Sequence, residues 1–198
     1  LLTTNETYFF REPQHFDFLR ELVRRDAGAD TTFRIWSGAS SSGEEAYSMA
    51  MVLAEHCPQR RWEVFGSDIS LTVLAKAQAG VYSQERISGI PPACLRKYCL
   101  KGVRSQEGKL LIDSRLRQRV RFAQVNLTQP ITGVGHFDVI FLRNVMIYFD
   151  AETKRKVIGN MLPCLKPGGH FIVGHAESLH GLTDCLRTVR PTIYQKPG

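Results

Sequence analysis

One segment near the start of the chain constrains the fold more than any other. Residues 34–45, Arg-Ile-Trp-Ser-Gly-Ala-Ser-Ser-Ser-Gly-Glu-Glu, join an apolar run, a turn of small residues and an acidic helix start. Small residues let backbone amides approach a ligand closely, and a helix start offers unpaired N–H groups. This order is typical of a nucleotide-binding crevice in a Rossmann-like sheet. Gly38 in the turn is therefore a candidate for contact with the ligand.

The charge of this turn departs from that of a dinucleotide site. Glu44 and Glu45 occupy the place where a pyrophosphate would need positive potential. Two carboxylates repel a phosphate, whereas they attract a ligand that carries an ammonium or sulfonium group. S-adenosylmethionine carries both groups, so the pattern predicts this cofactor.

An acidic residue also ends the next predicted strand. Residues 61–68, Arg-Trp-Glu-Val-Phe-Gly-Ser-Asp, end on Asp68, roughly 25 residues beyond the glycine turn. An acidic residue at this position accepts hydrogen bonds from ribose hydroxyls. Capping of the helix that begins near Ser70 is an alternative role for Asp68. The glycine turn upstream favours the ribose role.

Helical and extended patterns alternate along most of the chain. Strands are predicted at 33–37, 62–67, 136–143, 170–174 and 192–195, and helices after Pro13 and at 43–56, 70–79 and 151–165. Alternation of this kind implies a mostly parallel sheet with right-handed helical crossovers. We therefore predict an α/β fold with a Rossmann-like sheet, in which residues 1–198 form one catalytic domain.

Residues 87–125 interrupt this alternation. Two short runs at 109–113 and 120–125, joined by a basic turn, predict a β-hairpin within a small inserted β subdomain at about 87–125. The four arginines Arg115, Arg117, Arg119 and Arg121 alternate with a period of two. In a strand they would lie on one side and form a docking surface for carboxylates.

Composition limits the partners and the compartment. The net charge of +7 suits an acidic partner. The sequence lacks the evenly spaced aromatic residues that would favour nucleic acid as that partner. The five cysteines form no CxxC pair and no zinc spacing, so we expect reduced thiols, no metal and a cytoplasmic location. No apolar run approaches the ~20 residues that cross a membrane, and no secretory leader is evident.

Segments spread over almost the whole chain resemble, in order, the chemotaxis receptor methyltransferase (CheR) family. They are Leu-Thr-Thr-Asn-Glu-Thr-Tyr-Phe-Phe-Arg at 2–11, Ser-Ser-Gly-Glu-Glu-Ala-Tyr-Ser at 41–48, Gly-Ser-Asp-Ile at 66–69, Leu-Arg-Asn-Val-Met-Ile-Tyr-Phe-Asp at 142–150, Leu-Lys-Pro-Gly-Gly at 165–169 and Gly-His-Ala-Glu-Ser at 174–178. The run at 143–149 is the most specific of these. Lys-Pro-Gly-Gly is common to many methyltransferases of this fold.

The resemblance implies a class I S-adenosylmethionine-dependent methyltransferase that acts on glutamate side chains in the cytoplasmic helical region of chemoreceptors. The implied cofactor contacts are Asn5, Thr7 and Arg11 at the methionine end, Glu44 at the ammonium group, Asp68 at the ribose, Asn126 and Leu127 at the adenine, and Arg143 and Asn144 closing the site. It remains open which of Glu44 and Glu45 contacts the ligand, and we favour Glu44.

Methyl transfer to a glutamate needs no strong general base, because the carboxylate, with a pKa of ~4.3, is already ionised. Arg11 and Tyr148 are the candidates for placing that carboxylate, Arg11 through a two-pronged contact and Tyr148 through a hydrogen bond. A core position is an alternative for Tyr148, and a structural ion pair is one for Arg143. His175 and Glu177 are interpreted as loop residues near the rim of the site.

The chain also departs from the family. We expect this chain to lack the N-terminal helical domain that often precedes the Thr-Thr-Asn segment, which leaves open any receptor docking through that domain. The family's β subdomain can bind a receptor tail peptide by strand addition, and a hairpin at 109–125 would offer an edge. Two alternatives remain: a methyltransferase of this fold with another substrate, and a non-catalytic module that binds the cofactor.

Overall fold

The computed structural model describes residues 7–25 and 30–198. Asn5 lies outside the described residues. The helices are α1 (Pro13–Arg25), α2 (Glu44–His56), α3 (Leu71–Ala79), α4 (Pro92–Tyr98), α5 (Ser114–Arg117) and α6 (Ala151–Met161). The strands are β1 (Phe33–Ser37), β2 (Trp62–Asp68), β3 (Val81–Ser83), β4 (Cys99–Lys101), β5 (Lys109–Ile112), β6 (Val120–Gln124), β7 (Phe137–Leu142), β8 (Leu165–Val173), β9 (Arg187–Arg190) and β10 (Ile193–Gln195).

Within the described residues, seven strands form one sheet in the order β6-β2-β1-β7-β8-β10-β9. The first five of these are parallel, whereas β10 runs antiparallel to both β8 and β9. The chain builds outward from β1 to β2 and β6, then returns to the other side of β1 with β7. The strand order therefore reverses between β1 and β7, and the ends of these strands open the crevice where such sheets bind ligands.

The parallel strands are buried on both faces. Phe33 and Ile35 point into the core under α1 and α2, whereas Trp36 points into the core under α6. The Trp36 indole Nε1 donates to Ser67 Oγ at 2.9 Å, so its polar edge is satisfied in the core. Burial on both faces explains why these strands are continuous apolar runs in the sequence, and it confirms the predicted α/β class.

A second, antiparallel sheet has the order β3-β5-β4. It confirms a small β subdomain but corrects the predicted hairpin and its bounds, because its strands run from residue 81 to residue 112. Lys109–Ile112 is the central strand of this sheet, whereas Val120–Gln124 pairs in parallel with β2 at the edge of the large sheet. Phe122 packs so closely on β2 that a Cβ at Gly66 would lie 2.5 Å from its ring.

The four alternating arginines do not share one face, so the predicted docking surface is wrong. Asp113 accepts the Arg115 backbone N–H at 2.8 Å and caps a helical turn, which breaks the extended pattern. Each arginine contacts a different group. Arg115 pairs with Asp113, and Arg117 donates to the Ile112 carbonyl. Arg119 lies over the Trp62 ring, and Arg121 lies over the Phe65 ring.

Two boundaries near the carboxyl end also differ from expectation. The helix predicted at 151–165 ends at Met161, and a 3₁₀ turn at Leu162–Cys164 follows it. Lys-Pro-Gly-Gly at 166–169 lies inside β8 rather than between a helix and a strand. Lys166 Nζ donates to Asp138 at 2.8 Å and fixes the start of β8 beside β7. No helix in the described ranges is both long and apolar enough to span a bilayer.

Candidate active site

A cavity of about 560 Å³ opens at the carboxyl ends of β1, β2 and β7. Its size is that of a small-molecule site. Most of the predicted site residues meet on its wall: Thr7, Arg11, Gly38, Asp68, Asn126, Leu127, Arg143, Asn144 and Tyr148. Ser41 and Glu45 also line it. The cavity therefore lies at the switch point of the sheet and gathers residues that are far apart in the sequence.

The glycine turn after β1 forms the floor of the cavity. Gly38 donates its N–H to the Phe141 carbonyl at 2.8 Å, and a Cβ there would lie 2.8 Å from the Met161 side chain. Ser41 adopts a left-handed backbone with φ of 47° and lines the cavity. The Ser41 hydroxyl is buried there without a hydrogen-bond partner among the described residues. Buried hydroxyls are usually satisfied, so this one fits a polar group of a ligand.

The structure places Glu45, not Glu44, on the cavity wall, which corrects the preference for Glu44. Glu45 accepts from Ser37 Oγ at 2.6 Å and from Arg143 Nε at 2.7 Å. Glu44 is fully buried behind the turn, where it accepts from Ser42 and from Arg86. Successive residues of a helix point about 100° apart, which directs these two adjacent glutamates to different surroundings.

Asp68 joins the cavity wall to the glycine turn. Its carboxylate accepts the Ser41 N–H at 3.0 Å and the Ser70 N–H at 3.0 Å. The side chain that caps α3 is that of Ser70, so capping is not the main role of Asp68. A carboxylate offers about four acceptor sites, and two remain for a ligand's hydroxyl groups.

Arg143 is the centre of a buried polar network beneath the cavity. Its side chain is 1% exposed and pairs with Glu45 at 2.7 Å and with Glu12 at 3.4 Å. It also donates to the Arg11 carbonyl at 2.7 Å and to His15 Nδ1 at 2.9 Å. Arg143 thus connects α2, β7 and the segment before α1. The structural ion-pair alternative is correct for this residue, although it also lines the cavity.

The segment after β7 carries Asn144 and Tyr148 over the cavity. Asn144 has a left-handed backbone with φ of 60°, and its amide donates to Glu12 at 3.2 Å. Tyr148 ends a 3₁₀ turn and is 37% exposed at the cavity mouth, so it is not a core residue. Arg11 lies on the same wall, 5.7 Å from the centre of the Tyr8 ring.

The adenine-side residues combine a local and a ligand-facing position. The Asn126 side chain accepts the Thr128 N–H at 3.0 Å and the Thr128 hydroxyl at 2.8 Å, which forms a turn after β6. The turn role and the cavity position of Asn126 are therefore compatible. Leu127 is buried in the core under α6 and presents an apolar surface to the cavity.

The sequence did not indicate Glu12 and His15, and Glu177, although it lies in a loop as predicted, is buried. Glu177 is 8% exposed, and its carboxylate accepts backbone N–H groups from the segment after β7. Burial raises the pKa of Glu12, but hydrogen bonding from Asn144 and the charge of Arg143 outweigh that effect and lower it. These roles depend on contacts between distant segments, and no local pattern signals them.

Glu12, His15 and His175 place ligand atoms within 4.8 Å of one another. A cation between them would face the Arg143 guanidinium, which already contacts both Glu12 and His15. Because Arg143 donates to Nδ1, the proton of neutral His15 lies on Nε2, which donates to Thr192 Oγ1 at 2.7 Å. The cluster is therefore a hydrogen-bonded network around an arginine rather than a metal centre.

The buried His15 makes stability depend on pH. Burial, followed by the charge of Arg143, lowers the pKa of His15 from 6.5 to about 4. The unfolded chain therefore binds an extra proton between these two values. The stabilisation from neutral His15 is complete above pH 6.5 and is lost as the pH falls toward 4, a change of up to about 3 kcal/mol.

Urea unfolding at about pH 7.5 and about pH 4.5 measures this dependence. The free energy of unfolding of the wild type should fall more between these values than that of His15→Gln. The difference between the two proteins isolates His15 from Glu12 and the other carboxylates that also titrate in this range. Equal losses in both proteins would contradict the assignment.

The sheet and the cavity at its switch point define a fold that solved methyltransferases share. The citrinin polyketide synthase CMeT domain has a TM-score of 0.52 at 18% identity, over 81% of this chain and 33% of its own. The glycopeptide N-methyltransferase MtfA complexed with sinefungin has a TM-score of 0.50 at 15% identity, over 99% of this chain and 62% of its own. These likenesses concern the fold.

Sequence comparison identifies the family. The model of the CheR methyltransferase SAM-binding domain matches residues 5–195. The chemotaxis protein methyltransferase of Escherichia coli strain K12 is 41% identical over 98% of this chain and 68% of its own length. Chemotaxis protein methyltransferase 2 of Pseudomonas aeruginosa is 40% identical over 98% of this chain and 70% of its own length. The chain belongs to the CheR methyltransferase family, and its cofactor is S-adenosylmethionine.

The cavity fits this cofactor. Asp68 offers carboxylate lone pairs at the end of β2, where such sheets bind a ribose. Glu45 places negative charge near the glycine turn, and the buried Ser41 hydroxyl is a free donor or acceptor among the described residues. Leu127 and Val125 add apolar surface for a base. A cationic, hydroxyl-bearing ligand with one flat apolar end matches this set of groups.

Proposed function

We propose that this chain transfers the methyl group of S-adenosylmethionine to glutamate carboxylates of chemoreceptors and forms methyl esters. One observation carries the proposal. The described residues that line the cavity include no histidine, lysine or cysteine, and both lining carboxylates, Glu45 and Asp68, are held by hydrogen bonds. A site without a spare base suits an acceptor that is already an anion, as glutamate is at neutral pH.

In this proposal the residues at the cavity mouth place the acceptor. The bound cofactor supplies an activated methyl group on a positively charged sulfur. Arg11 pairs with the incoming carboxylate through its two-pronged guanidinium, and the Tyr148 hydroxyl donates a second hydrogen bond. Their contribution is mainly to hold the reacting atoms in line, because bringing two reactants into the right geometry accounts for a large share of the activation free energy of such reactions. The two opposite charges are neutralised as the methyl group moves.

The names of the relatives support the choice of partner, since several are chemotaxis protein methyltransferases. We propose that the substrate is the cytoplasmic helical region of a chemoreceptor, which also places the chain in the cytoplasm. We propose binding of a receptor tail peptide to the small sheet as a second contact, although the hairpin predicted at 109–125 does not form. Its outer strands β3 and β4 are edges on which an extended peptide can add a strand.

Methyl transfer to a purified receptor cytoplasmic fragment tests the function. The fragment is incubated with the chain and with cofactor labelled in the methyl group, then treated with mild base. We expect label on the fragment that base releases as methanol, because esters hydrolyse and N-methyl groups do not. The matched control is the same fragment with its acceptor glutamates changed to alanine, which should stay unlabelled. Base-stable label would indicate another acceptor, and no transfer by protein that binds the cofactor would indicate a non-catalytic module.

A further inference from the structure

The Glu177 carboxylate lies outside the cavity lining but is bonded to the segment that covers it. Oε2 accepts the Gly174 N–H at 2.7 Å and the Asn144 N–H at 2.8 Å. Oε1 accepts the Met146 N–H at 2.8 Å and the Val145 N–H at 3.0 Å. Every one of these partners is a donor, which is the arrangement that an ionised carboxylate satisfies. One buried side chain thus holds four backbone amides.

The backbone shape of this segment depends on that anion. Asn144 is left-handed, with φ of 60°, and Val145 has φ of −122° and ψ of −36°. These angles turn three successive amides toward one point, which forms a concave anion site of the kind that backbone amides build in turns. Here the chain's own glutamate fills that site. Without it, three converging N–H groups would lose their acceptor, and the one on Met146 is buried, where an unsatisfied donor is costly.

The held segment is the one that carries the groups at the cavity mouth. Met146 begins the 3₁₀ turn that ends at Tyr148, and its N–H is one of those bound by Glu177. Gly174 shows how close the packing is, since a Cβ there would lie 2.6 Å from Asn144 Nδ2 and 2.9 Å from Glu177 Oε2. The direction of the turn, and hence the place of the Tyr148 hydroxyl, is fixed by these contacts.

We propose that Glu177 is a positioning residue for methyl transfer: by binding the amides of residues 144–146 it holds Asn144 and Tyr148 at the cavity. The inference rests on the proposed function in so far as Tyr148 orients the acceptor carboxylate. It assigns to a buried residue outside the cavity a control over turnover, because a reacting group displaced by about 1 Å loses on the order of 100-fold in rate.

Glu177→Gln tests this role with little change of shape. The new amide NH₂ faces two N–H donors instead of accepting from them, so the turn is expected to loosen. With saturating cofactor and receptor fragment, kcat should fall about 30-fold or more while KM for the fragment changes less than about threefold. Hydrogen exchange of the amides of residues 144–146 should become at least about tenfold faster. Glu177→Asp, which keeps the charge on a shorter arm, should recover part of kcat.

Asp138→Asn is the matched control. Asp138 accepts the Arg34 N–H and the Lys166 ammonium at the opposite end of β7, away from the cavity. Loss of the Asp138 charge should lower the free energy of unfolding without changing kcat. The inference is overturned if Glu177→Gln keeps kcat within about twofold with unchanged amide exchange, or if Asp138→Asn loses kcat to the same extent.

A second variant covers the case in which Glu177→Gln does not fold. Gly174→Ala keeps the carboxylate but places a methyl group against Asn144, so it should displace the same segment, accelerate its exchange and lower kcat. Wild-type exchange and kcat in this variant would contradict the inference. Exchange needs no substrate, so it tests whether Glu177 holds this segment even if the wild type fails to methylate the receptor fragment. That failure would count against the proposed function alone.

Discussion

Arg143→Ala is expected to lower the free energy of unfolding by about 3–5 kcal/mol. The Arg143 side chain is 1% exposed and pairs with two carboxylates, those of Glu45 and Glu12. Its removal leaves both carboxylates, which are 13% and 11% exposed, without their cationic partner, and it leaves the Arg11 carbonyl without this donor. Breaking a buried ion pair costs more than the pair itself contributes, because the partner is left desolvated.

Urea denaturation of Arg143→Ala, Arg190→Ala and the wild type measures this cost. Arg190 pairs with Glu21 at 2.6 Å, but each side chain is 45% exposed. This matched arginine–glutamate pair should be worth less than about 1 kcal/mol, because solvent screens it. Arg143→Ala should also lose cofactor binding, since Glu45 and the Arg11 backbone are held by the same guanidinium. Equal stability losses in the two variants would refute the role of Arg143.

Local patterns predicted much of this fold. The strands at 33–37 and 62–67 were predicted to within a residue because parallel strands buried on both faces are continuous apolar runs. The positions of the glycine turn and Asp68 at the cavity could be predicted for a related reason. Their spacing follows from one βαβ unit, whose strand ends meet at the same edge of the sheet.

The remaining features depend on information that no local pattern contains. The choice between Glu44 and Glu45 depends on the rotation of α2 about its axis, which tertiary packing sets. The hairpin prediction failed because strands that are neighbours in the sequence need not pair with each other. Strand β6 pairs with β2, whereas β5 pairs with β3 and β4. Arg143 bonds to the Arg11 carbonyl 132 positions away, and His15 in the same network bonds to Thr192, 177 positions away, so the composition of the network became evident only in the structure.

Asp68→Ala is expected to weaken cofactor binding by about 100-fold, a value that corresponds to the loss of roughly 2–3 kcal/mol of charge-assisted hydrogen bonding. Two effects combine. The carboxylate no longer accepts from the ribose hydroxyls, and the Ser41 N–H in the glycine turn loses its acceptor. Asp68→Asn keeps one oxygen acceptor and removes the charge, so its affinity should lie between those of the wild type and Asp68→Ala.

The proposed function and the catalytic effect of Glu177 both require that this cavity binds S-adenosylmethionine through Asp68. Calorimetric titration of S-adenosylmethionine into the wild type, Asp68→Ala and the distant control Asp138→Asn tests this requirement most directly. We predict one-to-one binding to the wild type and to Asp138→Asn, with affinity strongly reduced in Asp68→Ala. Equal affinities in all three proteins, or no binding to folded wild type, would contradict the assignment of the cavity as the cofactor site.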